Sequence, residues 1–174
     1  ANRGYNDAQI ELTAQGNYRL HYGHAMTPVV SIVIVADNDL ASLVACVMSL
    51  IENTRWLNYE LVMVVSDTIG PEGDNWLASV VAVDEQRVNV QRYHGNLHYA
   101  QRVNLGASIA RGEYLVLVNA LTAFIDKNWL HELMNHALRP EVGIVGGKQV
   151  YADGTVSNAG YVLGMNGVVG DAFL

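Results

Sequence analysis

The sequence predicts an α/β fold, a three-layer α/β/α sandwich around a mostly parallel central sheet. Three observations carry this. Continuous β-branched runs such as "VVSIVIVA" (Val29–Ala36) have the pattern of strands buried on both faces, which belong to parallel sheets. These runs alternate with amphipathic helical segments in the order β-α-β-α-β-α-β-α-β-β, which a right-handed parallel sheet accommodates. Hydrophobic residues make up 51% of the 174 and charged residues 16%, enough apolar surface for one domain with a real core and too much for a disordered chain.

Each element has its own signal. Residues 1–27 are polar, carry aromatics and lack a clean period; they read as a lead-in segment with one short helix over Asp7–Ala14, ended by Pro28. Val29–Ala36 is the first core strand. Asp39 is placed to cap a helix from Leu40 to Asn53, whose apolar face is Leu43, Val44, Val47, Leu50 and Ile51. Tyr59–Asp67 is the second strand, "TIGPEGD" a loop, and Asn75–Val83 a short helix. Arg87–His94 alternates and reads as the third strand. Asn96–Arg111 is a helix by its Ala content, with Gly112 at the position where a left-handed residue ends it. Tyr114–Val118 is a fourth buried strand, and Asp126–Leu138 a helix stopped by Pro140. A strand, a turn at Ala152–Thr155 and a return strand follow.

Composition removes several function classes. The formal net charge is −7, and the ten Lys and Arg residues are scattered, with Arg87, Arg92, Arg102 and Arg111 the densest set. A nucleic-acid surface needs a basic stripe, so that class is excluded, while a small pocket for one phosphate group is not. Cys46, the single cysteine, sits in an apolar helical run and reads as a buried structural thiol. No apolar run approaches the roughly 20 residues of a bilayer span, and no signal core is present. His21 and His24 lack acidic or Cys partners at ligand spacing, which argues against a metal centre there. The chain begins at Ala1 and ends on "GDAFL", so a piece of a longer protein is expected.

Ligands of such folds bind beyond the carboxyl ends of the strands. That points to Asp37–Asp39, Ser66–Thr68 and Asn119–Leu121. Neither G-x-G-x-x-G nor G-x-x-x-x-G-K-[ST] is present, against other nucleotide-binding α/β domains.

The stretches "VSIVIVADND", "NYELVMVVSD" and "NLHYAQRVNLGASIARGEYLVLVNA", with the later "RPEVGIVGGKQVYADGTVSNAGYVLG", resemble the nucleotide-sugar-binding half of the family-2 inverting glycosyltransferases. The resemblance runs from about Val30 to Gly164. It implies the GT-A fold, a Rossmann-like three-layer sandwich with a mostly parallel, mixed sheet. It also implies a nucleoside diphosphate-sugar donor and a glycan acceptor. In the family an aspartate after the second strand binds the base, an Asp-x-Asp after the fourth binds ribose and a Mg²⁺ or Mn²⁺ ion on the diphosphate, and a later carboxylate deprotonates the acceptor hydroxyl.

Carried over residue by residue, the resemblance makes Asp67 the base-binding position. Asn38 ends the segment matching "PTYN", although its proline, threonine and aromatic ring are replaced by Val35, Ala36 and Asp37. Arg102 and His98 lie near a position where family members use a basic side chain. Asn104 and Gly106 keep the "N.G" frame and read as close helix–sheet packing. The Asp-x-Asp falls on Asn119-Ala120-Leu121, so two carboxylates are missing and no bound metal is expected; Asn119 keeps a neutral amide for ribose. Asp126, the nearest acid, reads as a helix cap. The family's frequent histidines are Asn158 and Asp171 here, Asp153 reads as a turn residue, and no catalytic base is nominated.

The expected organisation is therefore a lead-in over 1–27 and a glycosyltransferase domain over 28–174, truncated on its acceptor side. The expected activity is sugar transfer to a glycan in the full-length protein, with further domains as partners. The expected location is the cytoplasm, at the inner face of the membrane through the parent protein. The second hypothesis is a catalytically degenerate nucleotide-binding or scaffolding domain of a polysaccharide-assembly protein.

Overall fold

The computed structural model describes residues 5–14, 16–163 and 169–171. Contacts divide the chain into two units, residues 26–128 and residues 1–25 together with 129–174.

The first unit holds a four-stranded sheet, β3 (Val30–Val35), β4 (Tyr59–Ser66), β5 (Val88–Tyr93) and β6 (Tyr114–Asn119), in the order β5-β4-β3-β6. All three pairings are parallel. The chain steps outward from β3 to β5 and then returns to the other side of β3, so β3 and β6 flank a topological switch point. Every residue of β3 is buried, as is β4 from Glu60 to Ser66, because both faces of these central strands are covered.

Helix α1 (Leu40–Glu52) starts as predicted: Asp39 Oδ1 accepts from the Ser42 N–H at 3.1 Å. Its buried residues are Leu43, Cys46, Val47 and Leu50, so Cys46 takes the place on the inward face expected of Ile51, which is 51% exposed. Burial pushes the Cys46 thiol up to about 11, which keeps it protonated and unreactive. Helix α2 (Gly70–Val83) begins five residues earlier than predicted. Gly70 takes a left-handed φ of 84° and Pro71 follows in the first turn, where its missing N–H has no partner to lose. The residues that read as loop are thus the helix start.

Helix α3 (Tyr99–Ile109) packs across β3, β4 and β5. His98 caps it, its N–H donating to Gln101 Oε1 at 2.9 Å, so Asn96 and Leu97, predicted as helical, lie outside the helix. Gly106 is buried against the sheet: a methyl there would press on Val33 Cγ1 and lie 2.8 Å from Val64 Cγ2, the close packing expected of it. Gly112 does not have the left-handed backbone predicted for it. It is glycine because a Cβ would lie 2.6 Å from Ser31 N and 2.7 Å from Val29 O. Strand β6 lies at the sheet edge, and Leu115 and Leu117 are 47% and 52% exposed, so the strand is not buried on both sides as expected.

A buried polar knot ties the first residues of these strands together. Glu60, 2% exposed, accepts from Ser31 Oγ (2.6 Å), Arg111 N (2.6 Å) and Arg111 Nε (2.7 Å), and Gly112 N donates to Ser31 Oγ (2.8 Å). Burial alone would raise the Glu60 carboxyl, but these donors outweigh it and hold it below the usual carboxylate range.

In the second unit the expected helix at Asp7–Ala14 is an antiparallel hairpin, β1 (Gln9–Leu12) with β2 (Tyr18–His21), turned by Gly16 at φ 80°. The alternation in "QIEL" is only four residues long, too short to register as a strand without its partner. Helix α4 (Trp129–Ala137) follows. Asn135 joins it to the hairpin, accepting from Tyr22 N at 2.9 Å and donating to Leu20 O at 2.8 Å. Arg139 stacks over the Tyr22 ring and donates to its hydroxyl at 2.9 Å. The predicted late hairpin is β7 (Gln149–Val150) with β8 (Val156–Asn158), and Asp153 Oδ1 accepts from Thr155 N as a turn residue does. β9 (Tyr161–Leu163) pairs with β10 (Val169–Asp171). Asp171 falls on β10, and its side chain lies outside the described residues.

Candidate functional site

The carboxyl ends of the four parallel strands bring together residues far apart in sequence. β3 delivers Asp37 and Asn38, β4 delivers Ser66, Asp67 and Thr68, β5 delivers Tyr93 and His94, and β6 delivers Asn119. Three nominated residues, Asn38, Asp67 and Asn119, therefore sit at strand ends, and Arg102 reaches the same edge from α3.

Asp67 Oδ2 lies 2.6 Å from His94 Nδ1, and the Asp67 N–H donates to Tyr93 O at 3.0 Å. Chiefly the His94 hydrogen bond, against the opposing effect of burial, holds the Asp67 carboxyl below its ordinary value. Asp67 is thus an ionised acceptor, with its side chain 34% exposed. The Ser66 hydroxyl contacts Thr68 Oγ1 at 2.8 Å, and Thr68 Oγ1 donates to Asn38 Oδ1 at 3.3 Å. This chain of hydroxyls and an amide links the ends of β4 and β3.

The Arg102 side chain, 12% exposed, meets the carboxylate of Asp37, and its Nη1 also approaches Tyr93 OH at 3.3 Å. Its guanidinium stands 5.5 Å over the Tyr93 ring. Burial works against its charge, but Asp37 and Tyr93 more than offset that and raise its affinity for the proton. Asp37 is therefore not only a solvated helix-start carboxylate; it neutralises the one basic group nominated for the site. The Arg102 Nε is buried without a hydrogen-bond partner.

At the end of β6, Asn119 Oδ1 accepts from Leu121 N at 2.9 Å, and Leu121 is 78% exposed. The amide oxygen is turned back on its own loop. Asp126 accepts from Asn128 N at 2.8 Å, ahead of α4 and so not as the cap of its first turn. Among the described residues no group of three His, Cys, Asp or Glu side chains could hold a metal ion. His21 does have an acidic partner, Glu11 at 3.2 Å, which the hairpin brings across and the helical reading hid. His98 serves as the cap of α3, and Asn158 Oδ1 accepts from Gly160 N at 3.0 Å.

Sequence reasoning missed His94 and the pairing of Arg102 with Asp37. A signal for the first was present: two neighbouring parallel strands were each read as ending at these residues, Asp67 and His94. An open groove of about 510 Å³ lies elsewhere, between α2 and edge strand β5, lined by Leu77, Ala78, Val81, Val90, Asp74 and Arg92 among others. None of the strand-end residues lines it. The strand ends, with their converging polar groups, are the better candidate on chemical grounds.

The sequence profile of glycosyl transferase family 2 matches residues 31–166. The chain is 35% identical over 158 residues to the uncharacterized protein y4gI of Sinorhizobium fredii, covering 91% of this chain and 17% of that protein. It is 34% identical over 170 residues to the O-antigen biosynthesis protein RfbC of Myxococcus xanthus, covering 95% of this chain and 13% of that one. The chain thus spans less than a fifth of either relative. Among solved structures, the mannosyltransferase PcManGT of Pyrobaculum calidifontis, in complex with GDP-mannose and Mn²⁺, superposes with a TM-score of 0.57 at 15% identity, over 68% of this chain and 35% of that one. That likeness supports the GT-A fold, and the profile match over most of the length places this chain in glycosyl transferase family 2.

Proposed function

We propose that this chain is the donor-binding domain of a longer protein that transfers a sugar from a nucleoside diphosphate-sugar to a growing glycan. The observation that carries the reading is Asp67. It is an ionised, partly exposed carboxylate at the end of a central strand, next in sequence to Thr68, which donates to Asn38, and one strand from the switch point. A fixed acceptor there suits the N–H of a base. Asn38 and Asn119 offer amides for ribose hydroxyls, and Arg102 offers charge for the diphosphate once Asp37 gives it up. The likeness to an O-antigen biosynthesis protein supports a glycan acceptor and assembly with further domains. Among the described residues no helix is long and apolar enough to cross a membrane; the location proposed for the domain is the cytoplasm, near the membrane through the parent protein.

A second reading, a degenerate nucleotide-binding or scaffolding domain, draws on the end of β6. A Mg²⁺ or Mn²⁺ ion takes hard oxygen ligands, usually carboxylates. Ala120 and Leu121 offer none, and the Asn119 amide oxygen already accepts from Leu121 N. These residues do not fit a dication, so charge compensation of the leaving diphosphate falls to side chains such as Arg102. A transfer assay on the full-length protein separates the readings: release of nucleoside diphosphate from a UDP-, GDP- or dTDP-sugar in the presence of membrane glycan is expected. Binding of these nucleotides without any release would support the degenerate reading.

A further inference from the structure

β4 and β5 are paired so that Ser66 stands opposite Tyr93, which puts the next two residues, Asp67 and His94, side by side where the sheet ends. Gly95, at φ 71°, turns the chain away directly afterwards, so His94 is the last residue held at this edge. The His94 side chain is 85% exposed, so packing does not explain its place; its Nδ1 is 2.6 Å from Asp67 Oδ2. The other hold on the Asp67 carboxylate is weak, Ser66 Oγ at 3.4 Å from Oδ1, and that hydroxyl is shared with Thr68. One strong contact therefore fixes the direction in which the Asp67 carboxylate points.

We propose that His94 is a positioning residue for nucleotide capture: by gripping Asp67 Oδ2 it leaves Oδ1 presented to the N–H of the donor's base. The inference rests on the reading of Asp67 as the base acceptor and goes beyond it by adding a residue that acts only through Asp67. Without His94 the carboxylate rotates freely, and each binding event must order it first. With His94 in place the acceptor is preorganised, and the lowered proton affinity of Asp67 keeps it ionised.

The test is calorimetric titration of the 174-residue chain with UDP, GDP and dTDP. His94→Ala is expected to weaken the nucleotide that binds by roughly three- to tenfold, the scale of one ordered side chain and its hydrogen bond. His94→Asn, whose amide N–H can still donate to Asp67, is expected to recover most of the loss. In an Asp67→Asn background, His94→Ala is expected to change nothing further. Unchanged binding by His94→Ala would overturn the inference while leaving Asp67 as base acceptor. An equal loss with and without Asp67 would also overturn it, since His94 would then touch the nucleotide itself. If none of the three nucleotides binds the unaltered chain, the donor-binding reading fails and takes this inference with it.

Discussion

At the scale of single residues, two carboxylates govern the strand-end edge, and each already has a side-chain partner. Asp67 is held ionised by His94, whereas Asp37 occupies Arg102. The two make opposite predictions. Asp67→Asn replaces a charged acceptor by a neutral amide and should weaken nucleotide binding roughly tenfold or more, measured by calorimetry. Asp37→Asn releases Arg102 and should tighten nucleoside diphosphate binding several-fold, on the order of one charge-assisted contact, while leaving the nucleoside alone unchanged. A pH dependence follows from the direction of the Asp67 shift. Its folded-state proton affinity is depressed, so the ionised form persists below the usual carboxylate range, and its contribution is complete above that range. Nucleotide affinity should therefore be flat from neutral pH down through the ordinary carboxylate region, and fall only as pH drops through the lowered value. Asp67 was legible in the sequence because a strand that long and apolar has to end in polar residues at the sheet edge. Its pairing with His94 was not legible, because the neighbour of a parallel strand is set by a crossover of about 30 residues rather than by local spacing.

At the scale of elements, the fit of α3 and β6 to the sheet rests on two glycines and one buried acid. Gly106→Ala would drive a methyl into Val33 and Val64 and should destabilise the chain by about 1–3 kcal/mol in urea unfolding. Glu60→Ala removes the acceptor that gathers Ser31 and both the backbone and side chain of Arg111. It should cost about 3 kcal/mol, because the buried Ser31 hydroxyl and the partly buried Arg111 donors lose a charged partner. Nucleotide affinity of the still-folded fraction should be unchanged, since this knot lies at the opposite ends of the strands from Asp67. The central strands β3 and β4 were readable because burial on both faces leaves continuous apolar runs, β5 by its alternation, β6 by its apolar run, and the four helices by their 3.6-residue period. What resisted were elements whose reasons are not local. The β1–β2 hairpin exists through pairing across a turn at Gly16, and its four-residue strands carry too little alternation to separate from a helix. Helix α2 starts inside a run of turn residues because Gly and Pro serve a helix start as well as a loop. Gly112 looked like a helix stop, but its backbone is ordinary and its missing Cβ makes room for β3.

At the scale of the whole molecule, the chain is a glycosyl transferase family 2 domain built on a four-stranded parallel sheet whose strand β6 ends at Asn119, followed by Ala120 and Leu121. The scaffold leading to that position, Gly112 through Val118, pairs with β3 in register, so Asn119 stands next to Val35 at the switch point. The position carries an amide, a methyl and an isobutyl group, Asn119, Ala120 and Leu121. On the function proposed above, charge at this edge would come from side chains, and the central claim is that it captures a nucleotide through Asp67 without a dication. Calorimetric titration of the chain with UDP, GDP and dTDP, each with Mn²⁺ and with a chelator, tests that claim most directly. The account predicts binding of one nucleotide whose dissociation constant is the same in both conditions and is weakened by Asp67→Asn. Binding that appears only with Mn²⁺, or binding indifferent to Asp67→Asn, would contradict it.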